Sequence, residues 1–376
     1  MATSSIVVGS GIVGLAMARA LAAVGRKVLV LERHGKPVGA SIRNFGMVWP
    51  IGQSAGLLYE RALLSRSIWK EVCAEARLWH DASGSMHLAY SDLEMEVLES
   101  FHASVKAQRP YELMGSSKAL SYSPAVVSSG LKGALYSPDE MIVDPPLSLE
   151  TLPSYLSEKF GVEFRFNLPV DRVETGKAFS GSEIFEADDI YVCTGPDFEF
   201  LFPELFREIP MTRCKLQMMR IGAQPNDWKL GPSLCGGLSL VHYKGFHSAG
   251  DVLARLRSSY EETMPAYMEM GIHVMVSQNS KGELIVGDSH EYGRTHDPFL
   301  REDVNRLILD YLKTFARFPD QTVTHRWYGI YPKMTDGSTE LVMEALPGVT
   351  VVNGLGGAGM TLSFGLASQI VAGTYA

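Results

Sequence analysis

The chain has 376 residues, of which 46% are hydrophobic, so it is long enough for two domains with substantial cores. Its formal net charge of −8 leaves no basic field for nucleic acid. Cys73, Cys193, Cys214 and Cys235 lack the paired spacing of a metal site, a redox dithiol or a disulfide framework. Because we find neither a signal peptide nor an apolar run of membrane-spanning length, we expect a cytoplasmic protein without membrane association.

The N-terminal stretch has the form of a dinucleotide-binding fingerprint. A strand at 6–8 enters a glycine turn, a helix runs to Val24, and a second strand ends in Glu32. One glycine permits the tight turn, a second lets backbone amides approach a pyrophosphate, and a third lets the helix pack on the strand. Glu32 is placed to accept hydrogen bonds from a ribose. The predicted nucleotide contacts here are Gly9, Ser10, Gly11, Ile12, Val13, Gly14, Glu32 and Arg33.

The next segments predict alternating helices and strands. A loop at 39–50 is rich in small and polar residues and is suited to wrap an extended dinucleotide. Helices are expected at 54–79, 92–108 and 145–160, with strands at 86–90, 161–166, 170–173 and 190–195. The strand that closes on Gly195 is expected to line the nucleotide crevice. The predicted cofactor contacts of this part are Ser41, Arg43, Asn44, Gly46, Met47, Val170, Thr194 and Gly195.

The middle of the chain predicts a second, mostly antiparallel sheet. Its strand-like runs are 215–221, 238–243, 272–277 and 284–286, and a helix is expected at 297–315. This pattern differs from the βαβ pattern of the N-terminus, so we expect a separate domain.

The C-terminus carries a second glycine loop between a strand at 349–352 and a helix at 360–372. A helix N-terminus stabilises a developing negative charge, such as the charge on the pyrimidine side of a reduced flavin. FAD is long enough for the first loop to bind its phosphates and the last to hold its ring. The predicted contacts are Gly354, Gly356, Gly357, Gly359, Met360 and Thr361.

Five motifs in order resemble the D-amino-acid oxidase (DAO) superfamily, and most closely its glycine oxidase and sarcosine oxidase branch. They are GxGxxG with Glu32, the Gly-Ala-Ser-x-Arg-Asn-x-Gly loop, Cys-Thr-Gly at 193–195, Trp-Tyr-Gly-Ile-Tyr-Pro at 327–332 and the final Gly-Gly-x-Gly-Met-Thr-Leu-Ser. The resemblance implies an FAD enzyme that moves hydride from the carbon beside an amine nitrogen to flavin N5. Hydrolysis of the imine then gives an aldehyde. FAD would be non-covalent, since 327–336 holds no cysteine, and Gly329 would lie against it.

The resemblance also implies an α/β fold with interleaved domains. A Rossmann-like FAD-binding domain, of the second glutathione-reductase type, would comprise 1–85, 140–210 and 323–376. An α+β substrate domain on a mostly antiparallel sheet would comprise 86–139 and 211–322.

Departures from the family pattern bear on the substrate. Tyr331 stands where relatives place an arginine for the substrate carboxylate, and Thr361 where sarcosine oxidase has a lysine. The absence of both cationic residues that relatives use to bind a substrate carboxylate argues against a simple α-amino acid as the substrate. Residues 285–292 and 331–337 resemble a branch associated with phosphonate catabolism, which implies 2-aminoethylphosphonate or its N-methyl form as substrate. The alternative is a glycine, sarcosine or D-amino-acid oxidase or dehydrogenase.

The candidate substrate contacts are Met47, Trp49, Tyr243, Arg326, Lys333 and Thr361, with Tyr331 and His290 as candidate catalytic residues. His290 is the expected base, if one assists, because its ordinary pKa lies near neutrality. Ile285 stands where sarcosine oxidase has its oxygen-activating lysine, so either O₂ or another acceptor is expected to reoxidise the flavin. The sequence leaves the oligomeric state open.

Overall fold

A computed structural model describes residues 3–375 of the chain. Its strands, in chain order, are β1 Ser4–Val8, β2 Lys27–Leu31, β3 Met47–Val48, β4 His80–Asp81, β5 Ser85–Ala89, β6 Glu112–Gly115, β7 Gly133–Ser137, β8 Met141–Val143, β9 Glu163–Arg165, β10 Arg172–Glu174, β11 Lys177–Ser180, β12 Glu183–Glu186, β13 Asp189–Val192, β14 Met211–Ile221, β15 Ser233–Cys235, β16 Met275–Gln278, β17 Leu284–Gly287, β18 Glu291–Gly293, β19 Val323–Met334, β20 Leu341–Leu346 and β21 Val349–Asn353.

The α-helices of the described chain connect and cover these strands. They are α1 Ile12–Ala23, α2 Leu57–Glu75, α3 Asp92–Val105, α4 Ser116–Tyr122, α5 Pro145–Phe160, α6 Pro203–Glu208, α7 Leu238–His242, α8 Asp251–Thr263, α9 Pro265–Glu269, α10 Glu302–Phe315 and α11 Gly359–Val371. None of the helices in residues 3–375 combines the length and the apolar character that a membrane crossing needs.

The first sheet is a mostly parallel, Rossmann-like layer. Its strand order is β20-β21-β13-β1-β2-β9, and only the β20–β21 pair is antiparallel. Its central strands are apolar and buried on both faces, as expected for parallel strands covered on both sides. Helices α1 and α11 pack against each other, and α2 packs on α11. The carboxyl ends of β1, β13 and β21 therefore meet where α1 and α11 begin.

The second sheet has nine strands and is mostly antiparallel. Its order is β18-β14-β17-β16-β15-β5-β7-β6, with β19 also paired to β14. Two short antiparallel sheets, β10-β11-β12 and β3-β8-β4, complete the strand pairing. The predicted combination of a Rossmann-like FAD-binding layer with a mostly antiparallel second sheet is confirmed. Strand β19 belongs to the second sheet, although residues from 323 onward were expected in the FAD-binding domain.

Residues 238–243 are not a strand, as the sequence had suggested. They form helix α7 and its C-cap, and this helix ends at His242. Leu238, Leu240 and Val241 are all buried, and a short apolar run of this kind fits a buried helix as well as a strand. The expected strand at 170–173 is also displaced, because β10 begins at Arg172 and pairs only with β11.

Candidate active site

One large cavity of about 570 Å³ lies between the two sheets. It begins at the first glycine turn, passes the loop at 39–50 and the second glycine loop, and ends among residues of β16, β19 and the segments beside them. A cavity of this size is ordinary for a cofactor and substrate site. Both glycine loops and most of the predicted site residues line it.

The first glycine turn connects β1 to α1. Gly9 has a φ of +103°, and a Cβ atom there would lie 2.5 Å from the carbonyl oxygen of Cys193. A Cβ atom at Gly14 would lie 1.9 Å from the carbonyl oxygen of Gly9, so a side chain at either position would push the elements apart. Gly11 is the N-cap of α1 and lines the cavity. Since the first turn of α1 has no acidic side chain, its positive end is free for a phosphate.

Glu32 follows β2 at the same edge of the sheet. Its Oε2 accepts hydrogen bonds from the backbone nitrogen and the hydroxyl of Ser10, at 2.8 and 3.0 Å. Its Oε1 accepts from the backbone nitrogen of His34 at 2.9 Å. A carboxylate has about four acceptor sites, so Glu32, which lines the cavity, retains capacity for ribose hydroxyls. Ser10 is buried behind the cavity wall, and its two hydrogen bonds hold the Glu32 carboxylate in place.

The loop at 39–50 is held by its own polar side chains. The backbone nitrogen of Ile12 donates to Ser41 Oγ at 3.0 Å, which joins the loop to the start of α1. Asn44 donates to the carbonyl oxygens of Ala40 and Ser41, and its Oδ1 accepts from Gly46. Arg43 donates to the carbonyl oxygen of Tyr328 at 3.2 Å and lines the cavity. The loop is therefore fixed as one wall.

The second glycine loop lies between β21 and α11. Asn353 Nδ2 donates to the carbonyl oxygen of Gly195 at 2.9 Å, which joins the ends of β21 and β13. Gly354 and Gly356 have φ values of +77° and +59°, which side chains rarely adopt. As in α1, no acidic side chain occupies the first turn of α11. The loop residues predicted to contact FAD all line the cavity: Gly354, Gly356, Gly357, Gly359, Met360 and Thr361.

The residues present fit an FAD molecule. Two helix N-termini without acidic residues in their first turns, two glycine loops and an acid at the ribose position face one continuous cavity. Val170, Thr194, Gly195, Arg33 and Gly329 also line it. The pyrophosphate would lie at Gly11, the ribose at Glu32 and the flavin ring at the second loop.

Aromatic and sulfur-containing side chains line the cavity beyond the flavin position. Trp49 is 4% exposed, and its backbone nitrogen donates to Thr361 Oγ1 at 2.9 Å. Its indole Nε1 has no hydrogen-bond partner among residues 3–375. The Tyr243 hydroxyl lies 3.2 Å from Met275 Sδ. With Met47, these residues make a largely apolar wall that has one unsatisfied donor.

Two lysines and a tyrosine lie at this end of the cavity. Lys333 Nζ donates to the Tyr292 hydroxyl at 2.9 Å. Burial lowers the pKa of Lys333, and repulsion from Lys244 lowers it further. Lys244 Nζ donates to the carbonyl oxygen of Gly337 at 3.0 Å, and neither lysine forms an ion pair with a carboxylate in residues 3–375. Burial raises the pKa of Tyr331 well above its usual range, so its hydroxyl is available as a hydrogen-bond donor.

His290 also lines this end of the cavity. Its Nδ1 lies 3.0 Å from the carbonyl oxygen of Gly271, so Nδ1 can donate and leave Nε2 as an acceptor. Burial lowers the pKa of His290 to about 4. An effective base has a pKa near the working pH, so this value weakens the case for His290 as the proton acceptor.

Four predicted contacts lie off the cavity wall. Arg326, predicted to contact the substrate, pairs with Glu302 at 3.3 Å and is not among the residues that line the cavity. Gly46 packs on Val143, Gly14 packs on Gly9, and Ser10 bonds Glu32. These three support the cofactor wall from behind.

Sequence analysis missed His242, His273, Asp288 and Lys244, which line the same end of the cavity. They come from α7, the approach to β16, the end of β17 and the turn after α7. No local spacing connects them. The Gly-Asp-Ser-His run at 287–290 placed Asp288 beside the predicted His290 at a strand end, and that was the available signal.

The fold and cavity together define a flavin-dependent oxidoreductase. A family model described as FAD dependent oxidoreductase (DAO) matches residues 5–372, and the chain belongs to this family. It is 23% identical to D-amino acid dehydrogenase 2 of Mesorhizobium japonicum, over 90% of this chain and 88% of that protein.

Solved structures share the fold over nearly the whole chain. Glycine oxidase from Geobacillus kaustophilus matches with a TM-score of 0.77 and 18% identity, covering 100% of this chain and 96% of that one. Iminodiacetate oxidase from Chelativorans sp. BNC1 matches with a TM-score of 0.71 and 19% identity, covering 99% and 96%.

Proposed function

We propose that this FAD-dependent amine oxidoreductase acts on a small amine that carries a compact tetrahedral oxyanion. The substrate class is an aminoalkylphosphonate, with 2-aminoethylphosphonate or its N-methyl form as the candidates and phosphonoacetaldehyde as the product. The observation that carries this proposal is the pair of lysines, Lys333 and Lys244, which lie on one wall and form no ion pair with a carboxylate of the described residues.

The charges at this end suit a tetrahedral anion better than a planar carboxylate. Lysine ammonium groups act as separate point charges, whereas a carboxylate is best held by the planar fork of an arginine. The arginines on the described wall are Arg33, which pairs with Asp197, and Arg43, which is bound to the Tyr328 carbonyl. Neither guanidinium group lies beside Lys333 in a position to form a bidentate pair with a carboxylate. The Tyr331 hydroxyl would add a donor to the oxyanion.

Lys333 also lies close to the flavin position. Its backbone pairs with Leu355 of the second glycine loop, and a Cβ atom at Gly356 would lie 3.9 Å from Lys333 Cγ. An anion on Lys333 would therefore leave the amine end of a short substrate near the flavin ring. A two-carbon chain between amine and phosphonate matches this short span.

The remaining wall would orient the amine and exclude water. FAD, when bound, supplies the acceptor for the hydride of the carbon next to the nitrogen. Trp49, Met47 and Tyr243 would confine the substrate to one orientation over the ring, and positioning of this kind supplies much of a rate enhancement. Water then hydrolyses the imine to the aldehyde and the free amine. Either O₂ or another acceptor would reoxidise the flavin.

The comparisons support amine or amino-acid oxidation and leave the phosphonate as our own proposal. The relatives are named for glycine, iminodiacetate and D-amino acids. The alternative substrate is therefore an amino acid such as glycine, sarcosine or a D-amino acid, bound by a cation other than the missing arginine.

The test is to mix the FAD-loaded protein, without oxygen, with single amines and record the flavin absorbance. The panel is N-methyl-2-aminoethylphosphonate, 2-aminoethylphosphonate, sarcosine, glycine and D-alanine. We expect rapid bleaching by an aminophosphonate alone. Bleaching by the amino acids, with none by either phosphonate, would overturn the proposed substrate class and leave the oxidoreductase assignment in place.

A further inference from the structure

We propose that His242, His273 and His290 form a binding site for one divalent transition-metal ion, best suited to zinc, at the end of the cavity. This inference goes beyond the proposed amine oxidation and does not depend on the identity of the amine. We refer to the three residues as the histidine cluster.

The histidine cluster is assembled from three separate segments. His242 ends α7, His273 precedes β16, and His290 follows β17. One ring nitrogen from each lies within 4.8 Å of the other two, and all three side chains line the cavity. Three histidines and an open fourth position are the donor set of many catalytic zinc sites.

His290 is oriented as metal-binding histidines usually are. Its Nδ1 lies 3.0 Å from the Gly271 carbonyl oxygen, which fixes the ring and leaves Nε2 with a free lone pair. A ligating histidine almost always donates its other ring nitrogen to a carbonyl or carboxylate in this way. The backbone nitrogen of His290 also donates to Met270, so both parts of the residue are held.

His273 lies beside a carboxylate without a hydrogen bond to it. Its Nε2 lies 3.1 Å from Asp288 Oδ1, but that oxygen has no hydrogen-bond partner in residues 3–375, so either ring nitrogen of His273 can serve as the ligand atom. Nδ1 is buried and has no hydrogen-bond partner in residues 3–375, and His273 is only 3% exposed. A buried polar atom without a partner is costly, and a bound ion would satisfy it.

Lys333 and Arg257 are nearby cations that oppose a metal ion at the histidine cluster. The open fourth position faces the cavity, where water or an oxygen of a bound anion would complete the coordination.

Binding requires a small rearrangement of His242. Its ring is stacked on that of His273, with centroids 3.7 Å apart, and its centroid is 4.5 Å from that of His290. Nitrogen ligands at about 2.0–2.1 Å from a tetrahedral ion lie roughly 3.3–3.4 Å from each other, so ring nitrogens that lie within 4.8 Å of one another must approach by at most about 1.5 Å. His242 is only partly buried and ends a helix, so its ring can turn toward the other two.

The experiment measures metal uptake by the FAD-loaded protein in the absence of any amine. The protein is dialysed against a chelator, and zinc chloride is then titrated by calorimetry. We expect one equivalent of zinc per chain. Cobalt(II) in place of zinc should give the visible absorption of a tetrahedral ion, at wavelengths longer than the flavin spectrum, and zinc should remove it.

Matched variants locate the ion. H273Q and H290Q should each weaken zinc binding by about 100-fold or more, because each removes a ligand. H247Q changes an exposed histidine five residues after His242 and should leave the affinity unchanged within about twofold.

Flavin absorbance and circular dichroism check that each variant is folded, and the cobalt spectrum tests the wild-type protein should a variant fail to fold. Failure of the wild type to take up one equivalent, an octahedral cobalt spectrum, or unchanged binding in folded H273Q and H290Q would each overturn the site. Because no amine is present, these outcomes are separate from any failure of the proposed oxidation.

Discussion

The two ends of the cavity are built in different ways. At the cofactor end, the wall is mostly backbone: glycine loops and the first turns of α1 and α11. At the substrate end, the wall consists of side chains from α7, β16, β19 and the residues that follow β17. Backbone sites depend on short, contiguous patterns, whereas side-chain sites depend on how distant segments pack.

This difference predicts different sensitivities to substitution. Gly9 and Gly14 at the cofactor end cannot be replaced without moving backbone, so their loss affects FAD binding and folding together. A side chain at the substrate end can be truncated with the fold intact, so its loss should change substrate affinity alone. The following substitutions test that contrast, beginning with the largest expected effect.

Gly14→Ala should abolish FAD retention. Its Cβ atom would lie 1.9 Å from the Gly9 carbonyl oxygen, so α1 must move away from β1. We expect a loss of about 3 kcal/mol in the free energy of unfolding, together with loss of bound flavin. The measurements are the flavin-to-protein absorbance ratio and urea unfolding. Gly115→Ala, which adds a Cβ atom with nothing within 4 Å, is the control. Wild-type flavin content in G14A would contradict the assignment of this turn.

Lys333→Met should raise the KM for an aminophosphonate by roughly 10–100-fold with FAD content unchanged, since a hydrogen bond to a charged group contributes about 1.5–3 kcal/mol. Steady-state kinetics with retained flavin absorbance make the measurement. Arg326→Met on the same strand is the control, because its side chain pairs with Glu302 outside the cavity. Equal effects of the two substitutions would show that the anion does not bind at Lys333.

Glu32→Gln should weaken FAD binding about tenfold, because the carboxylate accepts three hydrogen bonds from Ser10 and His34 that an amide cannot all accept. Fluorescence titration of flavin-free protein with FAD measures the change. Ser10→Ala removes one of the three and should have a smaller effect. A substitution of Glu32 that changes only the KM for the amine would contradict its place at the cofactor end.

The KM for an aminophosphonate should depend on pH through Lys333. Burial and Lys244 lower the pKa of Lys333 from 10.5, and its positive charge is present below that pKa. The KM should therefore rise severalfold as pH increases through this lowered value, before an ordinary lysine loses its proton. In Lys333→Arg the rise should be absent, because arginine stays charged. A KM that follows the same pH course in both proteins would rule out Lys333 as the titrating group.

The fold and the cofactor end were largely predictable from the sequence because their signals are local. The GxGxxG turn, Glu32 and the final glycine loop each occupy a short stretch, and all lie on one cavity. The Rossmann-like layer and the second sheet followed from periodicity and order. Arg326 lies in the first half of β19, where residues 323–328 do not line the cavity, whereas residues 329 and 331–334 of the same strand do.

The substrate end was only partly predictable because its residues are close in space and distant in sequence. His242 was hidden in an apolar run that periodicity could not distinguish from a strand, and α7 brings its ring beside His273. The burial that lowers the pKa of His290 also arises from packing, which no motif encodes. Tyr331 and Lys333 were identified because they lie in a motif next to a family anchor position.

The most direct measurement is a crystal structure of the FAD-loaded protein with ethylphosphonate, which has the phosphonate group and no amine to oxidise. The account predicts FAD extended between the two glycine loops, with phosphonate oxygens within hydrogen-bond distance of Lys333 Nζ and the ethyl group directed toward the flavin ring. A phosphonate bound outside the cavity, or held at Arg43 with Lys333 still on Tyr292, would contradict it.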